Sequence, residues 1–272
     1  MALDKYVTPN SFDTPEMSEI LAFHDRTKLK PISSMSVFMR TGNYMHSIRG
    51  TQEASRNYKV APAAEVEMLD IALPERLANA IQQRRSCRTF DRATPFDRTG
   101  LLRALKTCMT TRQAQSLLDE NTFFKFRAYP SAGGLYPVEI HLLEPAGEGF
   151  NLKHFDANVG ALRMMRKAIP TDEIENALCV GVDKALVHST RGVLLLSAVW
   201  ERTVVKYGFA GYRFALMELG LVSQHLSLAL ADQGIETLHW AAFFDDKGTD
   251  LIGADPRSET LGYVIWYGGA AA

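Results

Sequence analysis

The chain has 272 residues, 46% of them hydrophobic, and a formal net charge of −1. That length suits one α/β domain with an extra segment, and the near-neutral charge offers no basic field to attract phosphate, which argues against a nucleic-acid binder. The three cysteines, Cys87, Cys108 and Cys179, form no CxxC pair, which argues against a zinc or thioredoxin-type site and suits a reducing compartment.

The opening stretch MALDKYVTPNSFD has no basic region followed by an apolar run, so no signal peptide is expected. The most apolar stretch, residues 193–199, is too short to span a membrane. The expectation is a soluble cytoplasmic protein with no membrane or nucleic-acid partner and no metal.

Residues 1–73 read as an accessory amino-terminal segment and residues 74–272 as the main domain. Residues 17–23 fit a short helix after Thr14-Pro15, since proline is tolerated in a first turn. Residues 30–57 are polar, Ser-rich and Met-rich with little period; they read as loop, or as ordered only against another surface, and residues 61–64 as a linker. Residues 74–85 predict a helix with Pro74 at its start and Leu77 and Ile81 on one face, and residues 99–107 a second. Residues 138–143 and 152–156 predict strands, and the continuous apolar run 191–200 a strand in the middle of a covered sheet.

Residues 212–233 predict a long helix closing at Gly234. Its polar residues form two narrow stripes, Glu218, His225 and Asp232 on one and Arg213, Gln224 and Ser227 on the other. Both flanks between them are apolar, which predicts burial between the helix's own sheet and a partner subunit. Strands over 237–244 and 261–267 follow. This order of elements predicts an α+β fold with a central, mostly antiparallel sheet flanked by helices.

Two motifs carry chemistry. Arg84, Arg85, Ser86 and Arg88 cluster where the second predicted element ends, and a dianionic phosphate calls for such charge-assisted donors. A solvated basic helix end is the alternative reading. Pro130, Ser131, Ala132, Gly133 and Gly134 precede a strand; paired glycines permit unusual backbone angles and leave room for a flat ring. The alternative there is an ordinary Pro/Gly turn. No Gly-Lys-Ser/Thr follows, so this is not a phosphate P-loop.

Together these motifs resemble the nitroreductase superfamily. The longer stretch Pro-Ser-Ala-Gly-Gly-Leu-Tyr-Pro-x-Glu, residues 130–139, resembles the azoline dehydrogenase branch found in streptolysin-S-type and microcin-type azole synthetases. Phe23-His24-Asp25-Arg26-Thr27-Lys28 resembles the branch's amino-terminal segment, and Lys206-Tyr207 with 211–218 its catalytic pair and central helix. The resemblance implies a homodimer with FMN at each subunit boundary. Arg84, Arg85, Ser86 and Arg88 would hold the phosphate and ribityl chain, and residues 130–134 would lie against the isoalloxazine ring. Gln224 is a candidate contact, and Ala241 and Ala242 would place a backbone N–H near flavin N5. The stretch 267–272 lacks the basic residue that many nitroreductases use on the phosphate; Arg213 is a candidate substitute.

The resemblance further implies oxidation of thiazoline or oxazoline to the azole in a ribosomally made peptide, delivered by cyclodehydratase subunits. A flavin takes the hydride and the protein supplies a base. Lys206 and Tyr207 are the candidates, each with an ordinary pKa near 10; burial of the lysine and a neighbouring phenol would make such a base useful near neutrality. On a strand, consecutive residues point to opposite faces, so both reach one site only where the backbone is irregular, as Gly208 and Gly211 would allow. The alternative is a surface lysine at a strand end beside a core tyrosine.

Other residues read as structural. Trp240 reads as core, with lining of the flavin pocket as the alternative; His141 and His154 lack a partner at ligand spacing, Cys87 is packing, and Glu218, His225 and Asp232 make helix-surface or dimer contacts. Two competing functions remain: a nitro- or quinone-reductase using NAD(P)H, although no GxGxxG occurs, and a flavin-bearing scaffold subunit docking through residues 30–57.

Overall fold

The computed structural model describes residues 15–31, 35, 39, 43, 75–109, 111–115, 123–180 and 184–271. The expected boundary at 73/74, the linker at 61–64 and most of the loop-like stretch 30–57 lie outside them. The described helices are α1 (Pro15–Thr27), α2 (Glu75–Gln83), α3 (Arg98–Met109), α4 (Thr171–Leu178), α5 (Ala185–Ser189), α6 (Glu201–Tyr207), α7 (Phe209–Asp232) and α8 (Asp245–Ile252). The strands are β1 (Arg112–Gln115), β2 (Phe123–Phe126), β3 (Val138–Ala146), β4 (Gly149–Asp156), β5 (Ala161–Ile169), β6 (Gly192–Val199), β7 (Glu236–Trp240) and β8 (Glu259–Gly268).

The fold is α+β. Six strands form one antiparallel sheet in the order β5-β4-β3-β6-β8-β7, and β1 and β2 form a separate hairpin-like pair. The apolar run of β6 sits between β3 and β8 and is buried from Gly192 to Ala198. Such a run needs cover on both faces, and two cores supply it. Ile140, Leu142, Leu194 and Leu196 face α7, α3 and Met17 and Ile20 of α1. Leu143, Val193 and Leu195 face Ile174, Val187 and Leu251 of α4, α5 and α8.

β1, β2, β5 and the helices α4, α5, α6 and α8 add elements beyond the sequence expectations. β5 is an edge strand whose residues are mostly exposed, so it lacks the alternation that marks a half-buried strand.

α7 opens three residues before the expected start. It closes with the Gly234 N–H on the Ala231 carbonyl and the Ile235 N–H on that of Leu230, Gly234 taking φ 68°. That is the pattern of a glycine-terminated helix. Its polar stripes do not sort as expected, because Glu218 and Ser227 are buried while Arg213 and Gln224 are exposed. In the single chain α7 is covered on one face only; Phe209, Leu216, Met217 and Leu221 are exposed along the other. α7, rather than residues 193–199, is the longest apolar element. It is long and apolar enough to cross a membrane, but its inner face forms part of the first core.

Candidate active site

The loop after β2 is set by a backbone that ordinary side chains resist. Gly133 and Gly134 have φ of 63° and 68°, and Tyr136, which is not a glycine, has φ 47°. Strain of that kind persists only where surrounding bonds over-determine it. The Gly134 N–H donates to the Ser131 carbonyl at 3.1 Å, and the Tyr136 N–H to Ser131 Oγ at 2.8 Å. Arg127 Nη1 donates to Tyr129 Oη at 2.9 Å and to the Val138 carbonyl at 2.8 Å, and its guanidinium lies 5.3 Å from the Tyr136 ring centre. Arg202 Nη1 donates to the Tyr136 carbonyl at 2.8 Å. Pro130 and Gly133 are exposed at the rim, and Ser131, Ala132 and Gly134 are half-buried.

Lys206 and Tyr207 stand on the last turn of helix α6, not at a strand end. The β-branched Thr203-Val204-Val205 sequence imitates a continuation of β6, although these residues are helical. On a helix, neighbouring residues are about 100° apart, so both can serve one side without an irregular strand. Gly208, at φ 52°, breaks α6 from α7. Gly211 lets the two helices touch, since a Cβ there would lie 2.5 Å from the Thr203 backbone.

The two tips converge on the loop. A Cβ on Gly133 would meet Lys206 Nζ at 2.7 Å and the Tyr207 hydroxyl closer still. Lys206 Nζ lies 5.3 Å from the Tyr207 ring centre, and Tyr207 meets Phe214 of α7 edge-on at 5.2 Å. Lys206 is exposed in the single chain, so the expected burial is not met there.

Two carboxyl groups behind this loop have opposite characters. Burial alone would push Glu139 up, but His154, Arg202 and Arg127 overcome it and hold the carboxyl at about 2. His154 Nε2 bonds it at 2.7 Å, Arg202 bonds it as well, and Arg127 is 3.7 Å away. The same register sets His141 opposite His154 across β3 and β4, with ring centres 5.1 Å apart, a proximity that spacing along the chain does not reveal.

Glu218 is 2% exposed, and burial raises its carboxyl to about 7 against the pull of Ser131, Arg127, the Val138 amide and Arg202. Neither of its oxygens closes a hydrogen bond of good geometry among the described residues. The expected surface or dimer role for Glu218 is therefore corrected: it faces the loop from inside. Its sequence spacing matched the exposed Asp232, and only the side of α7 that meets the loop separates the two.

The arginine cluster lies elsewhere. α2 ends at Gln83, Ser86 bridges Thr237 of β7, and the Cys87 N–H donates to the Thr237 carbonyl at 2.9 Å. Arg84 and Arg85 line a small cavity of about 220 Å³ with Ala231, Gly234 and Glu236. Arg85, Ser86 and Arg88 are exposed, and none of the three arginines forms an ion pair among the described residues. Burial raises the Cys87 thiol above its ordinary range, in keeping with packing.

Ala241 and Ala242 follow β7. The Trp240 indole N–H donates to the Ala242 carbonyl at 2.6 Å, and neither alanine N–H has an acceptor among the described residues. Gln224 is exposed on the outward face of α7. Arg213 is near the opposite end of α7 from Ala231, about 27 Å of helix away, so within one chain it cannot replace a phosphate contact at the cluster.

The structure thus brings Lys206 and Tyr207 to residues 130–134, and Arg84, Arg85 and Ser86 to β7. It does not bring those two groups together in one chain: Glu218, behind the loop, and Ala231, beside Arg84, are about 20 Å apart along α7. Each half still fits its share of a flavin nucleotide. The loop is a shelf of small residues, and the tips of Lys206 and Tyr207 reach its surface because Gly133 carries no Cβ. The cluster offers guanidinium forks and a hydroxyl not spent on carboxylates, the donor set a phosphate needs.

The nitroreductase family matches residues 81–268, well over half of the chain. The chain belongs to the nitroreductase family. Among curated relatives, the microcin B17-processing protein McbC of Escherichia coli is 28% identical over 148 residues, 52% of this chain and 54% of McbC, so the match spans about half of that protein's length. MJ1384 of Methanocaldococcus jannaschii, which carries a nitroreductase name, is 27% identical over 200 residues, 68% of this chain and 90% of that protein. Among solved structures, a chain of the E. coli microcin synthetase McbBCD complex with truncated pro-MccB17 bound superposes with a TM-score of 0.65 at 18% identity, over 94% of each chain. At that identity the superposition establishes the fold. Family membership makes the chain an oxidoreductase of nitroreductase type.

Proposed function

We propose that this nitroreductase-family chain is an FMN-dependent azoline dehydrogenase, oxidising thiazoline or oxazoline rings of a ribosomally made peptide. The observation that carries the reading is the convergence of Lys206 and Tyr207 on Gly133. A reductase that only relays hydride needs the shelf; a dehydrogenase that aromatises a ring also needs a proton acceptor beside it. FMN bound on the shelf would supply the two-electron acceptor. The chain's own share is to hold the ring over Gly133 and to take the ring proton on Tyr207 Oη or Lys206 Nζ. The likeness to McbC and to a synthetase chain supports a peptide substrate delivered by cyclodehydratase subunits.

The same geometry supports a homodimer. The shelf and the arginine cluster lie farther apart than a ribityl chain reaches, so a complete site would take the shelf from one protomer and the cluster from its partner. The outward stripe of Phe209, Leu216, Met217 and Leu221, with Gln224 beside it, is the surface such a partner would cover. The three free thiols suit work in a reducing cytoplasm.

The experiment is to purify the protein, record its visible spectrum before and after FMN addition, and supply an azoline-bearing peptide in air. Flavin bands with loss of two hydrogens from the peptide support the reading. A colourless protein that stays so in excess FMN refutes it. Steady oxidation of NADPH with a nitroaromatic acceptor, without azole formation, would make it a reductase instead.

A further inference from the structure

Ser131 Oγ accepts the Tyr136 N–H at 2.8 Å, which leaves its own hydroxyl hydrogen to donate elsewhere. The carboxyl facing it is Glu218, carried by α7 and 2% exposed, with both oxygens lacking a well-formed bond among the described residues. A buried carboxyl in that condition is costly to keep unless it does something. The groups around it are the Ser131 hydroxyl and Tyr129 of the loop, Arg127 ahead of the loop, the Val138 amide of β3 and Arg202 of α6. Arg127 and Arg202 are already engaged, by Tyr129 and Val138 and by Tyr136 and Glu139 respectively. The Tyr129 hydroxyl, which accepts from Arg127, and the Val138 amide also border Glu218; Ser131 is the neighbour that in addition holds the Tyr136 amide, and so the one through which Glu218 can reach the strained turn.

We propose that Glu218 is a positioning residue that braces Ser131 from inside the protein, and so fixes Gly133 beneath Lys206 and Tyr207. The carboxyl accepts the Ser131 hydroxyl, the hydroxyl accepts the Tyr136 amide, and the loop is tied at both ends of its strained stretch to the same helix. Glu218 never needs to touch the substrate. Its importance for catalysis rests on the flavin reading above; the brace itself does not.

The test is hydrogen exchange of the flavin-free full chain, reading the amides of Gly134, Leu135 and Tyr136 against core amides of β3 and β6. Glu218→Ala is expected to speed exchange of the Tyr136 amide about tenfold with the core amides unchanged. Glu218→Gln keeps an acceptor and stays within twofold of the parent. In a Ser131→Ala background, Glu218→Ala adds nothing, because the brace is already cut. Should Glu218→Ala fail to fold, Glu218→Leu fills the volume without an acceptor and takes its place. Unchanged loop exchange, or an equal effect of the Glu218 substitution with and without Ser131, overturns the proposal. A wild-type protein that binds no FMN would refute the flavin reading and leave this result standing.

Discussion

The Tyr207 hydroxyl stands where a side chain on Gly133 would have to be. A β-carbon there meets two obstacles at once: a left-handed backbone, with φ at 63°, and the tips of two side chains. Gly133→Ala is expected to cost roughly 1–2 kcal/mol from the backbone alone. The added methyl also displaces Lys206 and Tyr207. Urea unfolding reads the first effect and FMN titration the second; a variant with parental stability and flavin affinity would show that the shelf is not built as described.

Lys206 and Tyr207 differ in what each substitution removes. Tyr207→Phe keeps the ring that packs on Phe214 and removes only the hydroxyl; Lys206→Ala removes an exposed amine. Both variants should fold and hold FMN normally. If one group is the base, its loss lowers azoline oxidation by about 10²–10⁴, while the other variant falls less. Single-turnover oxidation of an azoline peptide measures this. Full activity in both variants would remove the pair from the chemistry.

The sheet was legible because its strands carry a physical signature. β6 reads as buried on both faces, and Ile140 and Leu142 mark one face of β3. The glycine at 234 marked the end of α7 by the same logic. The edge strand β5 was not legible, since Met164 and Met165 are both exposed and no alternation exists to be read. α6 was hidden by Val204 and Val205, which favour strands on local grounds and are overruled by the packing of α7 at Gly211. In the site, the loop and the arginines could be seen as motifs. Glu218 could not be assigned to the loop, because its role depends on which side of a helix meets a turn some ninety residues away. An acid on a helix that also carries Arg213, His225 and Asp232 reads as solvent-facing by default, so no sequence signal marked Glu218 as buried.

Glu218 and Glu139 should tie stability to pH in opposite senses. Glu218 is raised by burial from 4.5 to about 7. Its contribution is present in full below pH 4.5 and is lost as pH rises through 7, because the unfolded chain ionises first. Glu139, held down to about 2 despite its burial by His154, Arg202 and Arg127, contributes above pH 4.5 and loses that contribution as pH falls toward 2. Glu218→Gln should match the parent near pH 4.5 and exceed it by up to roughly 3 kcal/mol above pH 7. Urea unfolding at both pH values decides it, and a gap independent of pH would mean that Glu218 does not titrate in this window.

The amino-terminal helix supports the site from behind. His24 Nδ1 meets the Tyr212 hydroxyl at 3.1 Å, and its ring lies 5.3 Å from that of Trp200, the residue that opens α6. Lys28 pairs with Asp246 at 2.7 Å, and the Leu29 N–H donates to Asp245 at 2.7 Å, pinning the end of α1 to α8. The half-exposed Asp246 limits that ion pair to about 0.5–1 kcal/mol in a Lys28→Ala, Asp246→Asn cycle. His24 matters more. Burial, helped by Lys28, lowers it from 6.5 to about 4, so it stays neutral in the fold and its contribution, complete above pH 6.5, is lost as pH falls toward 4. His24→Gln should flatten that part of the acid limb. His24→Ala should cost about 1–3 kcal/mol and slow azoline oxidation through the loosened start of α6, with FMN affinity at the arginine cluster retained. Stability and turnover both at parental values in His24→Ala would reduce α1 to a passive cover.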